Sequence, residues 1–122
     1  MAEAPLLVAC SVFRPELEAL VARGELDLPL RFFDSALHME PARLAGCLDA
    51  AVAEAGGRCL LCYGDCDPGM RQRCRGGSAR VPGPNCVAIL VGRERWRAWM
   101  HEGAFVLLPE WARRWRELLM RL

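Results

Sequence analysis

The chain has 122 residues, enough for one domain that buries a real core without disulfide staples and too few for two. Apolar residues make up 53% and charged ones 25%, a balance that packs and excludes a disordered segment. Net charge is +1, which leaves no global attraction to nucleic acid or an anionic membrane. All 16 basic residues are arginine, so lysine Schiff bases, Walker-type lysines and lysine general bases are excluded.

The opening "MAEAPLLVAC" has no basic n-region, and its apolar run is far shorter than a membrane span. It reads as a buried strand over 5–10, and the cytoplasm follows as the default location. Seven cysteines in such a chain are expected to be reduced, as core residues, metal ligands or redox groups. "RPELEALVARG" (14–24) predicts a helix, with Pro15 near its start and Gly24 as its stop. "LPLRFFD" (28–34) predicts a second strand. The segment 40–57 predicts a helix, with Leu44, Cys47, Leu48, Ala51 and Val52 on one face and two glycines closing it. "RCLLCYG" (58–64) predicts a third strand.

A polar loop rich in arginine and glycine follows, then a short strand over 80–82. From Asn85 as N-cap a helix is expected through "NCVAILVGRERWRAWM". "GAFVLLP" (103–109) predicts a last strand, and 110–122 a closing amphipathic helix with Trp111, Trp115, Leu118 and Leu119 inward. Strands alternating with helices at this spacing point to a single three-layer α/β domain over 1–122. Its sheet is open and mostly parallel with helices on both faces, of the Rossmann or flavodoxin-like kind. Ligands on such sheets bind beyond the carboxyl ends of the strands.

Cys10 ends the first predicted strand, His38 lies in the loop after the second, and Cys66 in the turn after the third. Cys86 sits at the first turn of the helix after the fourth. Four segments thus bring one metal-competent side chain each to the same end of the sheet. No pair has diagnostic spacing; the signal is convergence. Three thiolates and an imidazole make a common tetrahedral zinc set, and thiolates also suit iron or an iron–sulfur cluster. Asp34 or Glu40 can take the free N–H of the imidazole and fix its tautomer.

Cysteine also behaves as a small core hydrophobe. That reading suits Cys47 and Cys59, while Cys62 is either core or a spare ligand. Cys74 reads as an exposed thiol among arginines, and His101 as a surface histidine at a helix end. The arginines 71, 73, 75 and 80 form either a solvated loop or a grip on a phosphate or carboxylate, with Arg71 and Arg73 the candidate cofactor-binding pair. The four tryptophans sit at helical spacings and serve as core or as the face of a homodimer.

With those positions in hand, the sequence resembles the prokaryotic domain of unknown function 1638. The resemblance rests on "ACSVFRPELEAL", "FFDSALHMEPARLAGCLDAAV", "LLCYGDC" and "VPGPNCVAILVGRERW", in order along most of the chain. It implies Cys10, His38, Cys66 and Cys86 as the characteristic polar positions, with Tyr63 and Gly64 shaping the turn and counted among the candidate cofactor-binding residues. It also suggests an association with corrinoid-dependent methyltransferases, near which relatives are often encoded. This chain departs from the family's pattern in "DPGMRQRCRGG", where a G-N-G-like turn is expected, and in "PN" before the late cysteine, where relatives show histidine and aspartate. It also ends soon after "LLPEWARRW", where many relatives continue.

The leading expectation is a metal-binding protein with a Cys3His zinc or iron site, working with a corrinoid protein or methyltransferase in one-carbon metabolism. Two others stand beside it: a metal-free thiol enzyme with a Cys nucleophile and His38 as base, and a docking module for a larger methyltransferase. Nucleotide binding has no G-x-G-x-x-G after a strand to support it, and magnesium binding has no acidic cluster at the strand ends.

Overall fold

A computed structural model describes residues 4–120; residues 1–3 and 121–122, which include the end of the predicted closing helix, lie outside the described residues. At the centre is a four-stranded sheet of β1 (Leu6–Cys10), β2 (Leu30–Phe33), β3 (Cys59–Cys62) and β4 (Ala79–Arg80), in the order β2-β1-β3-β4. All pairings are parallel, with Val8 opposite Arg31 on one side and Leu61 on the other.

The apolar run of β1 is explained by cover on both faces: Leu7, Val8 and Ala9 are all buried. Alternate side chains enter opposite layers because the strand repeat is two residues. Val8, Cys59, Leu61 and Tyr63 pack against Leu44, Leu48 and Ala51 of α2 (Pro41–Glu54). Leu7, Ala9 and Cys62 pack on the other side with Phe13, Val87 and Leu108. α1 (Arg14–Ala22) covers that second side through Leu17. The result is the three-layer α/β fold expected.

Four local expectations need correction. The arginine-rich loop contains a helical turn, α3 (Met70–Arg73), anchored by buried Met70 against the α2 layer. The helix from Cys86 is two helices, α4 (Cys86–Val91) and α5 (Arg93–His101), because Gly92 adopts φ +91 and turns the chain. Residues 103–109 form no strand: Val106 and Leu108 pack into the second helical layer, while Phe105 and Leu107 face outward. The closing helix breaks at Arg114 into α6 (Pro109–Arg113) and α7 (Trp115–Leu119), so Trp115 and Leu119 are exposed rather than inward.

Cysteines and histidines outside the proposed cluster follow expectation with one exception. Cys59 is buried and Cys47 packs against the same core, and His101 is exposed at the end of α5. Cys74 is half-buried against the α2 layer rather than an exposed thiol.

Candidate functional site

The connection after β1 runs to β2 on one side, and the connection after β3 runs to β4 on the other. The loops beyond the carboxyl ends of β1 and β3 therefore part, and a crevice opens between them. A cavity of about 410 Å³ lies there, lined by Cys10, His38, Cys66 and Cys86 together with Tyr63 and Gly64.

Local structure explains why these loops meet. Cys10 ends β1 and leads into a 3-10 turn (Ser11–Phe13), and a second such turn (Ser35–Met39) carries His38. Ser11 joins the two turns: its hydroxyl accepts the Ser35 N–H at 2.8 Å and donates to Glu110 of α6 at 2.8 Å. Asp34 caps the second turn by accepting the Ala36 N–H at 2.7 Å. Gly64 is buried where the 84–85 backbone crosses the end of β3, and the Asp65 N–H donates to the Pro84 carbonyl at 2.7 Å. Asn85 then caps α4 by accepting the Ala88 N–H at 2.9 Å, which fixes Cys86 at the first turn. The turn bearing Cys66 and the start of α4 are thus one unit.

Burial sets the state of the thiols. It pushes the Cys10 thiol up to about 12, with the Val12 N–H opposing and Cys86, Glu110 and Cys66 adding to the rise. Burial, then proximity to Cys66, pushes Cys86 up to about 11. Cys66 is raised as well, again chiefly by burial. Without a cation these thiols stay protonated at neutral pH, and a thiolate formed at Cys66 would make Cys10 and Cys86 harder to ionise. Cys62, buried on β3, is raised to about 11 by burial and then by Cys86, though it does not line the cavity. His38 is exposed and joins the wall from its rim.

The donor types fit a zinc or thiolate-bound iron ion. Among the described residues, no three His, Cys, Asp or Glu side chains stand in the arrangement of a formed metal cage. The four donors line one cavity without forming such a cage.

Arg71 and Arg73 do not reach this cavity. The Arg73 guanidinium is buried in ion pairs with Asp67 and with Asp49, the latter at 2.7 Å. Arg71 is exposed beside a shallow depression on the outer side of the Cys66 turn. Arg80 pairs with Asp65 at 2.6 Å. A phosphate at this loop would compete with carboxylates already in place.

Sequence reasoning missed the apolar wall. Phe13, Val87, Trp96, Phe105 and Trp111 line the cavity, drawn from five separate segments. Helical spacing marks the tryptophans as inward but does not say toward what. Ser11 was also missed; its position directly after the β1 cysteine is the one signal that pointed to it.

The family model described as a protein of unknown function, DUF1638, matches residues 32–122. The chain belongs to this family. His38, Cys66 and Cys86 lie within the stretch matched to DUF1638, whereas Cys10 precedes it. No curated protein and no solved structure matches the chain.

Proposed function

We propose that this DUF1638 member binds one zinc or iron ion through Cys10, Cys66, Cys86 and His38. The observation that carries the reading is the convergence of those four side chains, from four separate segments, on one cavity at the point where the strand order reverses. A bound ion supplies Lewis acidity and holds a thiol or water as its anion. The chain supplies the rest: soft donors, a largely apolar wall, and Tyr63 beside the thiols.

The raised thiols favour this reading over a metal-free nucleophile. An unassisted cysteine nucleophile needs a depressed pKa, and burial drives these the other way. A metal ion deprotonates a coordinating thiol outright.

We extend the reading to corrinoid-dependent methyl transfer or one-carbon metabolism, with a corrinoid protein or methyltransferase as partner, on the support of the family resemblance, and take the cytoplasm as the default location. Among the described residues no helix is long and apolar enough to cross a membrane. The exposed side chains of Phe105, Leu107, Trp115 and Leu119 favour a docking role beside metal binding, onto that partner or in a homodimer.

Elemental analysis of protein purified anaerobically without added metal tests the reading. About one zinc or iron per chain is expected, falling well below half in Cys66→Ser and Cys86→Ser. A metal-free preparation that takes up no zinc on titration contradicts it.

A further inference from the structure

Beyond its thiols the cavity is an unusual container. Its walls include the rings of Trp96 and Trp111 and the side chains of Leu44 and Val87, with the largely exposed Phe105 at its edge. Its volume of about 410 Å³ exceeds the roughly 150 Å³ that suffices for benzene in an engineered apolar cavity. Among the described residues no arginine lines it and one carboxylate does. Its one carboxylate, Asp34, is already held by two nitrogens of Arg114 at 2.8 and 3.2 Å and by the Ala36 N–H. An anion entering this space would lose its hydration and find no arginine in the lining to pair with among the described residues.

Tyr63 adds a second, independent observation. It is only 3% exposed, it lines the cavity, and its hydroxyl is buried with no hydrogen-bond partner among the described residues. Buried polar groups are nearly always paired, because leaving a donor unpaired forfeits its hydration without return. A hydroxyl left in this state, on a residue that lines an apolar cavity, is a donor waiting for an acceptor.

We propose that the cavity binds a small, uncharged, largely apolar molecule, ring-sized or slightly larger, whose single oxygen acceptor takes the hydrogen bond of the Tyr63 hydroxyl. This names the substrate class of the site read above as a metal site and places that molecule's polar end among the thiols. The cavity and hydroxyl belong to the protein without its metal, so binding is measured apart from metal loading.

The test uses three aromatic probes of similar size on the reduced, metal-free protein at pH 7: acetophenone, ethylbenzene and benzoate. Binding is read by the change in tryptophan fluorescence and by calorimetry. Acetophenone is expected to bind about fivefold more tightly than ethylbenzene, the worth of one neutral hydrogen bond. Benzoate is expected to bind at least tenfold more weakly than acetophenone. In Tyr63→Phe, which keeps the ring, the preference for acetophenone over ethylbenzene disappears while ethylbenzene binding persists.

A preference for benzoate overturns the proposal, as does failure of both neutral probes to bind. An unchanged preference in a folded Tyr63→Phe variant, checked by circular dichroism, overturns the role of the hydroxyl. Metal content of the same variant, measured separately, tells a failure here from a failure of the metal reading: loss of probe discrimination with zinc uptake intact concerns this proposal alone.

Discussion

Gly64 and Asn85 pack backbone against backbone: a Cβ on Gly64 would stand 2.6 Å from the Pro84 carbonyl oxygen and 2.7 Å from the Asn85 nitrogen. No side-chain rotation relieves such contacts, since both partners are main chain. The crossing holds the Cys66 turn against the start of α4, and so sets how far apart Cys66 and Cys86 stand.

Gly64→Ala therefore forces the 84–85 segment away from β3. We expect a loss of about 1–3 kcal/mol in urea unfolding, typical of overpacking at a buried position, with zinc affinity falling by more than tenfold. Unchanged affinity in the folded variant contradicts the coupling.

Ser11→Ala removes the hydroxyl that accepts from Ser35 and donates to Glu110. The Ser35 N–H is left buried without that acceptor, at a cost of about 1–3 kcal/mol. The turn carrying His38 loosens with it. Amide hydrogen exchange over 34–40 should accelerate, while exchange in β3 stays slow.

Much of this architecture was legible in the sequence, and the failures have physical causes. Strand β1 and helix α2 declared themselves because each buries a complete face, so their apolar patterns are unbroken. The register of soft donors at the strand ends followed from the parallel order alone. The 103–109 segment misled because 104–108 is an unbroken apolar run, as in a buried strand. Such a run shows that the segment is covered in part and not whether a neighbouring strand is there to pair. The break at Gly92 was visible as a glycine, yet helical periodicity continued through it. The cavity's aromatic wall was out of reach, because it is assembled from segments far apart in the chain.

Leu48 is fully buried in the α2 layer, away from the cavity wall. Leu48→Ala should cost about 2–5 kcal/mol, the lost transfer free energy plus the cavity left behind. Zinc stoichiometry in the folded fraction should not change. This variant separates loss of stability from loss of the site.

The thiols give the metal-free protein an alkaline limit. Folding raises Cys10 to about 12 and Cys62 and Cys86 to about 11, from an ordinary value of 9.0. The folded chain therefore holds more protons than the unfolded chain above pH 9. The stabilisation tied to these neutral thiols is fully present below about 9 and is lost as pH climbs through 11 to 12. Urea midpoints should be flat from pH 7 to 8.5 and fall above 9. Alkylation of the cavity thiols by iodoacetamide should be slow at pH 7 and rise over the same interval. Rapid alkylation at neutral pH would revive the metal-free nucleophile.

X-ray absorption at the zinc edge, on protein loaded with one equivalent of zinc under reducing conditions, asks most directly whether the four donors close on a single ion. A shell of three sulfurs at about 2.3 Å and one nitrogen at about 2.0 Å is predicted, with one sulfur lost in Cys10→Ser and the nitrogen lost in His38→Ala. A shell of oxygen and nitrogen alone, or one unchanged by both substitutions, would contradict the account.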